Sequence, residues 1–250
     1  MKSTLQRFGA RIGLAAAPDP DPVEEIHDPS HPAAEADHDF ESVGPTDSRL
    51  LLAEGLRPTD TILDFGCRAG HLAAEIIPKL FGGHYIGVDL SGSMLDKARA
   101  RVSTSFVQPS TRVTWIKQSS YVFPLSNQTV DMFCAFDAFM HMEHEDVYRY
   151  LKNARRVVKP AGRLLLSCLP ITLPLAQSLF LDASQHGFAE RWNRRRTVVT
   201  STELMEHVAW MAGWTPLRWH AGDERNIKVA DQATRVAVGS TLVLENPADR

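Results

Sequence analysis

Two glycines and an aspartate occupy positions at which a protein could hold a nucleoside-containing ligand. The segment ILDFGCRAGHLA combines an apolar strand pattern, a turn with Gly66 and Gly70, and the start of a helix. Such a unit presents backbone N–H groups and a helix N-terminus at the carboxyl edge of a sheet, and glycine lets a ligand approach the backbone. Asp89 ends the next strand pattern, where a carboxylate can either accept hydrogen bonds from a ribose or cap a helix. The pattern favours a nucleoside-containing cofactor.

The glycine loop does not follow the fingerprint of dinucleotide-binding proteins, G-x-G-x-x-G. Counted from Gly66, the second and third glycine positions are occupied by Arg68 and His71. The fingerprint therefore fails twice, and the loop indicates a cofactor other than a dinucleotide. Arg68 raises a separate question, namely whether its guanidinium disturbs the site or contributes to it.

The hydrophobic pattern after residue 47 alternates between strands and helices. Strands are predicted at TILDFG, HYIGVDL, RVTWIK, VDMFCAF and RLLLSCL, and helices at DSRLLLAEGL, HLAAEIIPKLF, SGSMLDKARARV and HEDVYRYLKNARRVV. The alternation predicts a parallel sheet with right-handed crossovers, so that the carboxyl ends of the strands share one edge. After Pro170 we predict helices over 173–192 and from about Thr202 to Gly213, and then two closing strands, TPLRWHA and GSTLVLE.

The N-terminal region differs in composition from the rest of the chain. Residues 18–46 are rich in proline and acids and contain no Lys or Arg, which favours a partly flexible extension or a lid. Residues 1–17 fit a short docking helix or an organelle-targeting segment. We expect a polar extension over residues 1–45, a single domain over 46–247, and a cover over the site formed by residues 1–45 and 171–200.

The overall composition argues against several function classes. The formal net charge is -3, which provides no electrostatic case for binding nucleic acid. The three cysteines are scattered without metal-ligand spacing, which is typical of reduced thiols and of a cytoplasmic protein. No apolar run is long enough to span a membrane. The oligomeric state is left open.

Four motifs, in this order, resemble those of the class I S-adenosylmethionine-dependent methyltransferases: ILDFGCRAG, GVDLSGSMLDKAR, FPLSNQTVDMFCAFDAFMHM and ARRVVKPAGRLLLS. The resemblance covers roughly residues 45–170. It implies an α/β fold with a Rossmann-like, doubly wound sheet of seven strands, mostly parallel, with a C-terminal antiparallel hairpin. It also implies S-adenosyl-L-methionine as the cofactor.

The same resemblance assigns cofactor contacts to particular residues. The methionine end of the cofactor would lie against the first motif, the ribose against Asp89, and the adenine near Leu90 and Met94. The residues expected at the cofactor are Asp64, Gly66, Cys67, Arg68, Gly70, Asp89, Leu90, Met94, Ser119, Ser120 and Phe136.

The chain departs from the family pattern at three positions. Arg68 and Ala161 stand where the family usually has glycine. Ser119 stands at about the place where an aspartate often receives the adenine amino group, and Ser119 or Ser120 could accept that hydrogen bond.

The loop after the fourth strand, FDAFMHMEHED, contains the candidate catalytic residues. Methyl transfer to a hydroxyl requires a group that removes the acceptor's proton, and Asp137 or His141 could be that base. His141 and His144 with Glu143 could suggest a metal site, but such a pair beside acids is more typical of a solvated helix start, and we expect no metal.

The combined observations favour methyl transfer to a hydroxyl or amine of a small-molecule or glycan-type acceptor. The absence of an Asn-Pro-Pro-Tyr motif argues against the DNA-base and glutamine-amide methyltransferases, which carry it. A non-catalytic methyltransferase-like binding subunit is the first alternative, because Arg68 and Ser119 depart from the family.

An RNA methyltransferase is the second alternative. It would use Arg191, Arg194, Arg195 and Arg196 around a stacking Trp192. The same arginines could instead form a lid over an anionic acceptor or a solvated helix end. Phe136 and Phe139 could line an acceptor pocket, whereas Trp210 and Trp214 are expected to pack in the core.

Overall fold

A computed structural model describes residues 43–103, 110–118, 120–187, 197–222, 224–229, 232–237 and 239–248. Three regions singled out in the sequence lie outside the described residues: all but the last few residues of the 1–45 extension, Ser119, and the arginine-rich segment 188–196. No helix within the described ranges is long and apolar enough to cross a membrane.

The chain alternates helices and strands through most of its described length. The helices are α1 Val43–Ala53, α2 His71–Ile76, α3 Gly92–Ser103, α4 His144–Val157, α5 Pro174–Ser184 and α6 Thr202–Met211, with short 3-10 helices at Ile77–Lys79 and Phe139–His141. The strands are β1 Thr61–Phe65, β2 His84–Asp89, β3 Arg112–Lys117, β4 Val130–Ala135, β5 Val158–Pro170, β6 Val199–Thr200, β7 Thr215–His220, β8 Glu224–Val229, β9 Gln232–Ala237 and β10 Ser240–Glu245.

The predicted α/β fold is confirmed. The main sheet has the strand order β3-β2-β1-β4-β5-β10-β7. The first five strands in this order, from β3 through β2, β1 and β4 to β5, pair in parallel. Strand β10 is antiparallel to both β5 and β7. This is the seven-stranded, mostly parallel sheet with antiparallel C-terminal strands that the motifs imply.

Four details differ from the sequence-based expectation. The short β6 pairs with β5 as an eighth strand, and β8 and β9 form a separate hairpin between β7 and β10. The segment KPAG, which precedes the predicted strand RLLLSCL, lies inside β5, where the register with β4 shifts and Ala161 has φ +61°. The helix predicted over 173–192 ends at Ser184.

The sheet is covered on both faces, as the continuous apolar strand patterns require. Neighbouring residues of β1 point to opposite faces: Ile62 packs with α1 and α2, and Leu63 packs with α4 and α6. Trp214 is in the core as predicted, with its indole N–H donating to the Leu151 carbonyl at 2.9 Å. The same prediction is wrong for Trp210, which is 52% exposed and stacks on His207, because it lies on the solvent side of α6.

Gly70 fixes the turn between β1 and α2. It adopts a left-handed φ of +77°, and a Cβ atom there would lie 2.9 Å from the Cα and Cβ atoms of Ala98 on α3. The glycine therefore allows the start of α2 to pack closely on α3 at the end of the loop.

We predict that Gly70→Ala lowers the free energy of unfolding by more than about 2 kcal/mol, because left-handed strain and overpacking add. Gly82→Ala is the matched control: Gly82 has the same φ of +77°, but a Cβ there would meet nothing within 4 Å. The free energy of unfolding of this control should fall by only about 1 kcal/mol, because the backbone strain acts alone. Urea denaturation of both variants measures the difference, and equal losses would contradict the packing role of Gly70.

Candidate functional site

The order of the strands reverses between β1 and β4. From β1 the chain proceeds to β2 and β3 on one side and then crosses to β4 on the other side. The loops after β1 and β4 therefore diverge and leave a crevice at the carboxyl edge of the sheet, which is where open α/β sheets bind ligands. The structure has a pocket at this point, lined by Gly44, Asp47, Asp64, Gly66, Cys67, Arg68, His71, Leu72, Phe136 and Asp137.

The glycine loop is held against β2 by its own backbone. The N–H groups of Gly66 and Cys67 donate to the Val88 carbonyl at 2.8 and 3.1 Å. Gly66 has φ +76°, and a Cβ atom at this position would lie 2.7 Å from the Cβ of Ala138 in the loop after β4. Glycine is thus required where the two loops of the crevice approach each other.

Asp89 connects the end of β2 to the glycine loop. One carboxylate oxygen accepts from the backbone N–H of Arg68 and the other from that of Ser91, both at 2.8 Å. Ser91 precedes α3, so this bond holds the turn between β2 and that helix. A carboxylate has about four lone-pair sites, so its capacity exceeds these two hydrogen bonds. Asp89 is next to the pocket lining and not part of it.

Arg68 adopts a left-handed backbone conformation, with φ +50°. This conformation explains why glycine is common at the corresponding position of the family, since glycine is not strained there. Because the backbone N–H of Arg68 still bonds to Asp89, the loop keeps its course despite the side chain. The side chain itself lines the pocket.

Asp64 is a buried carboxylate at the floor of the pocket. The Tyr85 hydroxyl donates to one of its oxygens at 2.5 Å, and the Cys134 thiol lies 3.7 Å from the other. Burial raises the pKa of Asp64 to about 6, although these two hydrogen bonds act in the opposite direction. Burial also raises the pKa of the Cys67 thiol, which therefore stays neutral and is unsuited to nucleophilic chemistry.

The sequence analysis did not assign α1 to the site. Gly44 packs against the start of α2, where a Cβ would lie 2.7 Å from the His71 carbonyl oxygen, and this contact brings Asp47 over the pocket. Asp47 is only 6% exposed, and its pKa is raised well above the usual value by burial and then by the charges of Asp137 and Asp64. An acid near the start of an apolar helix resembles an ordinary helix-start residue, so no pattern in the sequence distinguishes Asp47 as a pocket residue.

The two candidate bases differ in their position. Asp137 lines the pocket with φ +54°; its N–H donates to the Ser167 hydroxyl oxygen at 2.7 Å, and that hydroxyl donates back to the carboxylate at 3.3 Å. His141 ends the 3-10 helix after β4 and is not among the pocket-lining residues. His144 interacts with the Thr200 hydroxyl at 3.0 Å, so it connects α4 to β6.

The residues predicted near the adenine lie beyond Asp89. Met94 is buried on α3 and Leu90 is half-buried. The Ser120 hydroxyl oxygen accepts from the Val122 N–H at 3.2 Å, and so it stabilises the loop after β3. The sequence analysis missed Gln118, whose N–H donates to the Asp89 carbonyl at 2.9 Å and whose side-chain amide donates to the Val122 carbonyl at 3.2 Å. Gln118 thus positions this loop beside Asp89.

Comparison with known proteins agrees with this geometry. Residues 62–162 match the sequence model of a family described as "Methyltransferase domain". This range begins at β1 and ends within β5, and it contains both loops of the crevice. The matched residues are therefore similar to that family's domain.

Individual methyltransferases show the same similarity. A 2-phytyl-1,4-naphtoquinone methyltransferase from Trichormus variabilis is 30% identical over 110 residues, which are 44% of this chain and 46% of that protein. A ubiquinone/menaquinone biosynthesis C-methyltransferase from Vibrio cholerae is 31% identical over 127 residues, 50% of this chain and 46% of that protein. The chain thus spans about half the length of these relatives.

Solved structures show the same fold. Magnesium protoporphyrin IX methyltransferase from Synechocystis PCC 6803 with bound S-adenosylhomocysteine superposes with a TM-score of 0.60 at 15% identity, covering 83% of each chain. At this identity the likeness shows a shared fold.

We predict that Arg68→Gly is more stable than Arg68→Ala by about 1 kcal/mol, because alanine retains the left-handed strain and glycine does not. Both variants remove the guanidinium from the pocket, so the comparison isolates the backbone. Thermal unfolding of the two proteins measures the difference. Equal stability would show that the loop relaxes out of the left-handed conformation at no cost.

Proposed function

We propose that this chain transfers a methyl group from S-adenosylmethionine to a small-molecule acceptor. The observation that carries the proposal is the crevice at the strand-order reversal, where the Gly66–Gly70 loop and Asp89 meet within the matched methyltransferase region. The pocket fits the cofactor in charge as well as in position. Three of its lining residues are acids, which suits a ligand with a sulfonium and an ammonium group, and Arg68 suits the ligand's carboxylate.

The cofactor would lie across the ends of β2, β1 and β4. Asp89 would accept hydrogen bonds from the ribose hydroxyls, with the adenine beyond it near Leu90, Met94 and Ser120. The methionine end would pass over the glycine loop, beside Asp64, Cys67 and Phe136. This direction follows from the sheet, because Asp89 ends β2 and the remaining acids lie at β1, β4 and α1.

When bound, S-adenosylmethionine supplies a methyl group on a positively charged sulfur, so its displacement depends mainly on alignment of the acceptor. Asp137 is the best-placed residue to take the proton of a hydroxyl or amine acceptor, because it lines the pocket and Ser167 fixes its position. We propose His141 only as a secondary candidate, since it lies outside the pocket lining. The loops after β4 and β5 would exclude water from the reacting groups.

A ring carbon is a second candidate for the acceptor atom. The names of the similar proteins from Trichormus variabilis and Vibrio cholerae describe a naphthoquinone methyltransferase and a C-methyltransferase. In that case the acceptor would be an activated aromatic ring, and Asp137 would take the proton that leaves the ring carbon.

We predict that S-adenosylhomocysteine binds the purified protein and that Asp89→Asn weakens this binding by about 10-fold or more, because a hydrogen bond to a charged acceptor contributes about 1.5–3 kcal/mol. Asp96→Asn is the control, since Asp96 is an exposed acid on α3 that pairs with Arg99. Isothermal titration calorimetry measures both variants. Absence of binding to the wild-type protein at millimolar ligand would contradict the proposed function and favour a non-catalytic subunit.

A further inference from the structure

Asp47 is a buried acid without a hydrogen-bond donor among the described residues. It lies on α1, is 6% exposed and lines the pocket. The other two acids of the pocket are supported by neighbours: Tyr85 and Cys134 bond to Asp64, and Ser167 bonds to Asp137. A buried carboxylate without a donor destabilises a protein unless a partner arrives from outside.

The surroundings of Asp47 favour a cation as that partner. Burial is the largest cause of its raised pKa, followed by the negative charges of Asp137 and Asp64. Three carboxylates thus converge on one pocket from α1, β1 and the loop after β4. Their mutual repulsion is unfavourable in the free protein, and a bound positive charge would relieve it.

A second acid, directly after the same helix, shows the ordinary arrangement for comparison. Glu54 follows Ala53, the last residue of α1, and at 5% exposure it is as deeply buried as Asp47. It accepts from the Arg163 guanidinium at 3.0 Å, and the His220 ring lies 2.7 Å from its other oxygen. The fold therefore pairs the acid that faces the sheet and leaves unpaired the acid that faces the pocket.

The topology indicates which cation reaches Asp47. With its ribose at Asp89, a nucleoside ligand that crosses the loop after β1 brings its far end to the β4 side of the crevice, where Asp137 and Asp47 lie. In S-adenosylmethionine this far end carries an α-ammonium group. We propose that Asp47 binds the α-ammonium group of the cofactor's methionine moiety, an assignment that rests on the proposed function.

Asp47→Asn preserves the shape of the side chain and removes its charge. The variant should bind S-adenosylhomocysteine about 10-fold more weakly, because a charge-assisted hydrogen bond is lost. It should bind 5′-methylthioadenosine, which has no amino-acid part, with unchanged affinity. The free variant should also melt at a higher temperature than the wild type, because a buried unpaired charge is removed.

Glu54→Gln is the matched control, because Glu54 is an equally buried acid directly after the same helix. It should melt at a lower temperature, because it breaks a buried ion pair, and it should retain wild-type affinity for both ligands. Opposite changes in melting temperature together with a ligand-selective loss in only one variant would support the assignment. A purely structural role for Asp47 would lower its melting temperature instead.

The outcomes separate this assignment from the proposed function. If neither ligand binds the wild-type protein, the proposed function is overturned and the assignment with it. If both bind but Asp47→Asn weakens neither, or weakens both equally, only the Asp47 assignment is overturned. A loss for S-adenosylmethionine without a loss for S-adenosylhomocysteine would overturn the ammonium assignment in favour of the sulfonium.

Discussion

The parallel pairing of β1 with β4 is the constraint on which the site depends. Leu63 pairs with Phe133 and Asp64 with Cys134, so the two strands end side by side. After β1 the chain continues to β2 on one side of this pair, and after β4 it continues to β5 on the other side. Both strands are buried on both faces, which makes a shift of register costly. The crevice between their loops therefore has a fixed position, and α1 covers it by packing on the start of α2.

The site combines this rigid sheet with locally unfavourable features. Arg68 and Asp137, two of the four non-glycine residues with positive φ in the described part of the chain, both line the pocket. Asp47 adds a buried charge without a donor. Strain and unpaired charge persist where the surrounding structure over-determines them, and they concentrate at binding sites. A ligand that carries separate positive and negative groups would offset the unpaired charge of Asp47. The free energy that this charge costs in the free protein would then favour the binding of such ligands.

The sequence allowed prediction of the features that depend on local pattern. The strands from TILDFG to RLLLSCL have unbroken apolar runs, and the glycine loop follows directly from one of them, so the sheet, Gly66 and Asp64 were predictable. Asp47 was not, because only the packing of α1 on α2 brings it to the pocket. The β8–β9 hairpin was also missed, since ERNIKV and QATRVA are short and largely polar. The exposure of Trp210 depends on which side of α6 meets the sheet, and helical spacing alone does not specify this.

We infer that the cofactor extends from Asp89 across the glycine loop to Asp47. A crystal structure of the protein with S-adenosylhomocysteine is the most direct test of this binding direction. We expect ribose hydroxyls at Asp89 and the α-amino nitrogen at about 3 Å from a carboxylate oxygen of Asp47, the distance of a charge-assisted hydrogen bond. A ligand bound in the reverse direction, or one whose amino group points away from α1, would contradict it.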